Sequence, residues 1–157
     1  MINGIFHFSF TVDNIEKSKD FYTRVIGLEL VHEARHNLPY TSRQVGFANA
    51  DLRMAAFRIR GVMPQSSTHV LELIEYVEPK GGKTDTATNY TGAAHMAFVV
   101  DDIFAEYERM KALGVRFRSE PVRIEGGPNE GGYTVYFLDC DDITLELVEP
   151  KSAMPMA

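Results

Sequence analysis

The chain has 157 residues, 45% of them hydrophobic and 24% charged, a composition typical of a globular protein with one domain or two small packed halves. A net charge of -6 without a clustered basic face excludes nucleic acid as a main partner and disfavours anionic membrane surfaces. No apolar run approaches the roughly 20 residues that span a bilayer, and a single cysteine, Cys140, excludes an internal disulfide framework. With no signal peptide visible, we expect a reducing, cytoplasmic location.

The first predicted element is a strand. Residues 5–12, IFHFSFTV, alternate between apolar and polar side chains, so one face of the strand is apolar and the other polar. We expect the phenylalanines at positions 6, 8 and 10 to pack under a helix, and His7 to face away from it.

A helix follows, with Asp13 as its predicted N-cap and Gly27 as its C-cap. Polar, Pro- or Gly-containing stretches then separate further predicted strands. These strands cover residues 28–35, 42–49, 52–59 and 69–76.

The pattern restarts after Gly92. Residues 95–103, HMAFVVDDI, match residues 7–15, HFSFTVDNI, at a constant offset of 88. A second helix is predicted from about residue 103 to Gly114, with Asp101 and Asp102 as candidate caps. Strands are then predicted at 115–117, 121–124, 133–138 and 143–149.

The end of each half repeats as well. Residues 71–75, LELIE, match residues 145–149, LELVE, at an offset of 74, so the first half carries 14 extra residues (88 minus 74). We expect them in loops around 35–43 or 61–68. Repetition at this scale indicates a duplicated supersecondary unit.

The predicted fold class is therefore α+β, with two β-α-β-β-β modules. We assign the first module to residues 1–78, a linker to 79–91, the second module to 92–150 and a flexible tail to 151–157.

Each half offers one histidine on its first strand and one glutamate on its last strand. The pairs are His7 with Glu72 and His95 with Glu146. Leucines flank both glutamates, so each carboxylate should face away from the core. Any one of the four alone is typical of an ordinary half-exposed strand, but their recurrence at matched positions favours a shared metal site.

The chemistry of this set suits one divalent ion. Two neutral imidazoles and two carboxylates neutralise its charge and leave two octahedral positions open for water or substrate. The ligand set does not choose among nickel, zinc, cobalt, iron and manganese.

Other polar residues are weaker candidates. Tyr133 and Tyr136 follow a glycine-rich segment and are candidate substrate contacts, although core or surface aromatic residues would give the same pattern. We place His32 and His36 near or in a solvated loop, and interpret Cys140 as structural.

The repeated segments resemble the vicinal oxygen chelate superfamily, which includes glyoxalase I, methylmalonyl-CoA epimerase, extradiol dioxygenases, fosfomycin-resistance enzymes and bleomycin-binding proteins. The resemblance lies in residues 7–30, 71–76, 94–103 and 143–150. It implies a curved sheet around a metal and commonly a homodimer. The family's metal positions carry over to His7, Glu72, His95 and Glu146.

The ligand set is similar to that of bacterial glyoxalase I. The resemblance therefore implies a metal-dependent lyase or isomerase that chelates a small oxygenated substrate and moves a carbon-bound proton through an enediolate. It implies Glu146 as the first choice of general base, with Glu72 on the opposite side. An extradiol-type iron dioxygenase and a non-enzymatic small-molecule binding protein remain the alternatives.

Overall fold

A computed structural model describes residues 5–61 and 70–151 of the chain. The chain divides into two units, with the boundary between Lys83 and Thr84. This boundary falls within the segment 79–91 that the sequence suggested as a linker.

The first unit contains one four-stranded sheet in the order β1-β4-β3-β2. Strand β1 runs parallel to β4, and the other neighbours are antiparallel. Its elements are β1 (Phe8–Thr11), α1 (Ile15–Asp20), β2 (Glu29–His36), α2 (Pro39–Val45), β3 (Asp51–Arg58) and β4 (Leu71–Glu78).

The second unit repeats this plan in the order β5-β9-β8-β6, with β7 also paired to β8. Its elements are β5 (His95–Val99), α3 (Ile103–Ala112), β6 (Arg116–Phe117), β7 (Val122–Arg123), β8 (Tyr133–Leu138) and β9 (Thr144–Glu149). Two short strands, β6 and β7, stand where the first unit has the single strand β2. The predicted α+β fold of two β-α-β-β-β modules is confirmed.

In each unit, the N-cap of the helix lies one residue after the first N-cap candidate predicted from the sequence. Asn14, rather than Asp13, has the extended backbone of an N-cap, and its side chain accepts a 3.0 Å hydrogen bond from the Lys17 N–H. In the second unit Asp102 is the cap, as one of the two predictions had it, and Asp101 is not. The helix α1 continues as a π-helical turn, Phe21–Val25.

The strand predicted over residues 42–49 is wrong, because most of that segment belongs to α2. Pro39 occupies the start of this helix, where its fixed φ and missing N–H cost nothing. Gly46 ends the helix in the left-handed conformation, at φ +78°. Part of the first unit's extra length is thus a helix, whereas residues 62–68 of the second candidate loop lie outside the described residues.

The first strand is shorter than predicted. Phe10 is buried, as expected, but Phe6 and Phe8 are 80% and 40% exposed. Because β1 begins only at Phe8, Phe6 lies beyond the last pair of the sheet. The expectation that all three phenylalanines pack under a helix is therefore wrong for two of them.

Three further predictions concern particular residues. His32 and His36 both lie on β2, and His36 is its last residue, so it adjoins the predicted loop. His69, the first residue of the strand predicted over 69–76, lies outside the described residues, and of the predicted tail only Lys151 is described.

Candidate functional site

The position of Glu75 shows which face of the first sheet carries Glu72. The Glu75 carboxylate accepts a 3.1 Å hydrogen bond from the Ile15 N–H at the start of α1, so Glu75 points toward the helix. Leu71 and Leu73 are buried in the same alternation. Glu72 therefore lies on the opposite face of the sheet, which we call the open face.

The second unit repeats this arrangement. Glu149 accepts a 2.7 Å hydrogen bond from the Ile103 N–H at the start of α3. Leu145 and Leu147 are buried on the helix side. Glu146 is out of phase with these residues and lies on the open face of its own sheet.

On each open face, the glutamate lies close to the histidine at the start of the unit's first strand or just before it. His7 Nε2 is 3.6 Å from Glu72 Oε1, and His95 Nε2 is 3.2 Å from Glu146 Oε2. Both glutamate side chains are 16% exposed, whereas the imidazoles are 37% and 42% exposed. Each unit thus presents one nitrogen and one carboxylate donor side by side.

The 3.2 Å separation of the second pair suits two ligands of one cation, whereas the 3.6 Å separation of the first pair is slightly longer than such ligands require. Nitrogen and oxygen ligands about 2.1 Å from a metal are roughly 3.0 to 3.4 Å apart at octahedral to tetrahedral angles. Over the ranges 5–61 and 70–151, no group of three or more His, Cys, Asp or Glu side chains comes together. Each unit by itself therefore offers two ligands.

The surroundings of the two glutamates differ. The Thr134 hydroxyl donates a 2.5 Å hydrogen bond to Glu146 Oε1. Tyr136 lies opposite Glu146 in the β8–β9 ladder, and Ala56 occupies the corresponding place beside Glu72. On the neighbouring strand, Glu146 consequently has more polar neighbours than Glu72.

Tyr136 borders both members of the second pair. Its ring centroid is 5.2 Å from that of His95. Burial, and then the charge of Glu146, raises the pKa of the Tyr136 phenol above its ordinary value. Tyr136 therefore keeps its proton at neutral pH and can act as a hydrogen-bond donor.

Tyr133, the other predicted substrate contact, lies on the opposite side of the sheet. Its ring centroid is 5.0 Å from that of Phe104 in α3. Tyr133 is also in phase with the buried Val135. This position does not support a contact with a substrate bound beside Glu146.

Two polar residues of the open faces, Thr134 and His32, were not among the predicted site residues. His32 pairs with Ala56, which pairs with Glu72, so all three share the open face of the first sheet. Thr134 is in phase with Tyr136 along β8. Alternation within β8 could have placed Thr134 on that face, but its contact with Glu146 depends on the register between strands.

The turn before the last strand is built from acidic residues. The Asp139 side chain accepts hydrogen bonds from the N–H groups of Asp141 and Ile143, both 2.8 Å long. Asp142 adopts φ +66°, the left-handed conformation that glycine adopts most readily. This turn fixes the start of β9 and thereby the register of Glu146.

Within the described ranges, no helix combines the length and apolar character needed to cross a membrane.

Comparison with known proteins agrees with this architecture. The family model of the glyoxalase/bleomycin resistance protein/dioxygenase superfamily matches residues 4–147. A 2-epi-5-epi-valiolone epimerase from an Actinomyces species is 30% identical over 156 residues, covering 97% of this chain and 82% of that protein. A probable lactoylglutathione lyase from Vibrio parahaemolyticus is 31% identical over 157 residues, covering 98% and 96%.

Among solved structures, a glyoxalase family protein from Bacillus cereus superposes with a TM-score of 0.81 at 19% identity, covering 97% of both chains. That likeness concerns the fold, and the family model spans nearly the whole chain. The resemblance found in the repeated strands is thus confirmed, and the chain belongs to the glyoxalase/bleomycin resistance protein/dioxygenase superfamily.

Proposed function

We propose that this protein is a divalent-metal-dependent lyase or isomerase that moves a carbon-bound proton of a small oxygenated substrate. The observation that carries the proposal is the histidine–glutamate pair on the open face of each unit, at equivalent positions of the repeat. Relatives named as a lactoylglutathione lyase and an epimerase support the same class of reaction.

We propose His7, Glu72, His95 and Glu146 as the four ligands of one cation. Two imidazoles and two carboxylates match its charge and suit nickel, zinc, cobalt, iron or manganese. The 3.2 Å separation of the second pair is compatible with neighbouring positions on one ion, and the first pair, at 3.6 Å, is slightly wider. Four protein ligands leave coordination positions of the ion open, which is typical of catalytic metal sites and not of structural ones.

When bound, a divalent cation would polarise adjacent substrate oxygens and stabilise an enediolate. A glutamate, Glu146 or Glu72, then takes the proton from the substrate carbon. Return of that proton to the neighbouring carbon gives isomerisation, and return to the same carbon gives epimerisation. The Tyr136 phenol can donate a hydrogen bond to a substrate oxygen.

Metal analysis tests the ligand set. Protein purified without added metal should contain about one divalent ion per chain, and His7→Ala and Glu146→Gln should lose most of it. His36→Ala is the matched control, because His36 contacts Tyr40 and belongs to neither pair. Unchanged metal content in both ligand variants would refute the assignment.

Deuterium exchange tests the reaction class. In D2O, the metal-loaded protein should incorporate deuterium from solvent into the hemithioacetal of methylglyoxal and glutathione, or into an α-hydroxy ketone such as dihydroxyacetone. Bound iron with oxygen uptake in the presence of a catechol would instead favour the dioxygenase alternative. Ligand binding without turnover or metal dependence would favour the binding-protein alternative. A homodimer and a cytoplasmic location stay predictions.

A further inference from the structure

The two oxygens of the Glu146 carboxylate have different partners. Oε1 accepts the hydrogen bond of Thr134, and Oε2 lies 3.2 Å from His95 Nε2. The Thr134 hydroxyl is also 3.2 Å from the carbonyl oxygen of Leu147, which follows Glu146 on β9. One carboxylate oxygen is therefore held by the protein, while the other is directed toward the imidazole.

The described part of the first unit lacks this arrangement. On β9, the residue that pairs with Thr134 lies two positions after Glu146. On β4, the residue that pairs with Met54 lies two positions after Glu72, so Met54 takes the place that Thr134 has in the second unit. Methionine has no hydroxyl to donate. Among the described residues, the side chain that approaches the Glu72 carboxylate is His7.

We propose that Thr134 is a positioning residue that holds Glu146 as a fixed ligand coordinating through one oxygen, whereas Glu72 has no such support. This inference rests on the proposed metal-binding function. A carboxylate fixed by a hydrogen bond loses less rotational freedom when it binds a cation, so affinity should depend on Thr134. Glu72 keeps the freedom to rotate.

Cobalt binding provides a measurement that does not depend on turnover. The full-length protein, stripped of metal, is titrated with Co²⁺, whose visible absorption reports its coordination. Thr134→Val, which removes the hydroxyl but keeps the shape, should weaken Co²⁺ binding about tenfold, the lower end of the effect of such outer partners. Thr134→Ser should restore binding because it restores the donor.

Two further variants separate positioning from a general loss of structure. Thr11→Val removes a threonine hydroxyl on β1 of the first unit and should leave Co²⁺ affinity unchanged. Met54→Thr places a hydroxyl beside Glu72 and should tighten binding several-fold, and it should recover part of the loss caused by Thr134→Val. If Thr134 were needed only for folding, Met54→Thr in the other unit would not compensate for its loss.

Equal Co²⁺ affinities of the wild type and Thr134→Val would overturn this inference. Failure of Thr134→Ser to restore binding would also overturn it. If the wild type itself binds no Co²⁺, the proposed metal-binding function fails and this inference fails with it. If Thr134→Val does not fold, Thr134→Ser and Met54→Thr still decide the question.

A second observation, independent of the first, concerns Arg118. Its N–H donates a 2.8 Å hydrogen bond to the Tyr136 carbonyl oxygen, which extends the pairing of β6 with β8. The preceding Phe117 ring lies 4.6 Å from that of Tyr107 in α3. Alternation therefore places Arg118 on the open face, in one row with Tyr136 and Glu146.

Among the described residues, Arg118 differs from its neighbour Arg116 in its lack of an acidic partner. The Arg116 guanidinium pairs with Asp142 and also donates to the Asp139 carbonyl oxygen. Arg118 is exposed, and no carboxylate pairs with it among the residues that the structure describes. In a chain of net charge -6, it is a guanidinium available to a ligand.

We infer that Arg118 binds an anionic group, a carboxylate or a phosphate, at the far end of the substrate. This inference deepens the proposed function. Arg118 lies two strands from Glu146, about 10 Å at the usual strand spacing. The substrate class is therefore a molecule with adjacent oxygens at one end and a negative charge several bonds away.

Hydroxamates test this inference, because their two adjacent oxygens chelate divalent ions. The probes are adipic acid monohydroxamate and its neutral terminal amide, measured by calorimetry on Co²⁺-loaded protein. The wild type should bind the carboxylate probe about fivefold more tightly, and Arg118→Gln should abolish this preference. Arg123→Gln is the matched control, since Arg123 is equally exposed but pairs with Tyr133 on the helix side.

Equal binding of the two probes by the wild type would overturn the inference. A preference retained in Arg118→Gln would do the same, because the charge would then be recognised elsewhere. Failure of both probes to bind would instead contradict the cation-chelating function, and the assignment of Arg118 would fall with it.

Discussion

The carboxylate of Glu149 accepts a 2.7 Å hydrogen bond from the backbone N–H of Ile103, the first residue of α3. Glu75 makes the same contact with Ile15 at the start of α1. The first N–H groups of a helix have no partner within the helix, and a negative charge there interacts favourably with its dipole. One glutamate at the end of each module thus joins the helix to the sheet.

Glu149→Gln should lower the free energy of unfolding by about 1 kcal/mol, because the amide keeps an acceptor oxygen but loses the charge. Urea denaturation measures this change. Glu125→Gln, at an exposed position with no contact to a helix start, should have little effect. Equal destabilisation by the two variants would show that the contact with α3 contributes nothing specific.

The sequence predicted the features that depend on local pattern. The offset between His7 and His95, together with the two leucine-flanked glutamates, was enough to define the modules. Alternation placed Glu72 and Glu146 away from the core, which the contacts of the neighbouring glutamates with the helix starts support.

Features that depend on tertiary contacts could not be predicted. The hydrogen bond from Thr134 to Glu146 depends on the register of β8 against β9, and the sequence pattern does not determine that register. The segment after Pro39 was predicted as a strand, but it forms a helix, with the proline in its first turn and the left-handed Gly46 at its end. The exposure of Phe6 follows from where strand pairing begins.

Gly132 should tolerate no side chain. A Cβ at this position would lie 2.3 Å from the carbonyl oxygen of Glu149, a backbone atom that cannot move without shifting β9. Gly132→Ala should therefore destabilise the protein by about 2 kcal/mol or more. Gly126→Ala, in the same glycine-rich segment but with open space around it, should change the melting temperature little.

If Gly132→Ala melts like Gly126→Ala, the segment and β9 separate easily, and the close approach does not constrain the fold.

Asp51 should make stability depend on pH. Hydrogen bonds from Arg35, and then its charge, lower the pKa of the Asp51 carboxyl below its ordinary value. A carboxyl whose pKa is lower in the folded state stabilises the fold above its unfolded pKa, and this contribution is lost as the pH falls through the folded value. The melting temperature of Asp51→Asn should therefore lie furthest below that of the wild type near neutral pH.

The difference should shrink as the pH falls below about 4, the ordinary range of an aspartate. Thermal melts from pH 7 to pH 2 measure it. In an Arg35→Gln background, Asp51→Asn should no longer produce this pH-dependent difference. A constant difference at all pH values would mean that the ion pair is not its source.

Tyr136 and Tyr133 should affect metal binding unequally, because they occupy opposite faces of β8. The Tyr136 ring packs against His95, and its loss in Tyr136→Leu should leave that imidazole less fixed and weaken Co²⁺ binding several-fold. Tyr133→Leu removes a contact with Phe104 of α3, so it should lower thermal stability and leave Co²⁺ affinity unchanged. Tyr136→Phe keeps the ring and should bind Co²⁺ like the wild type, so any loss of deuterium exchange in that variant would report the hydroxyl alone. Equal Co²⁺ affinities of the two leucine variants would mean that the ring of Tyr136 does not orient His95.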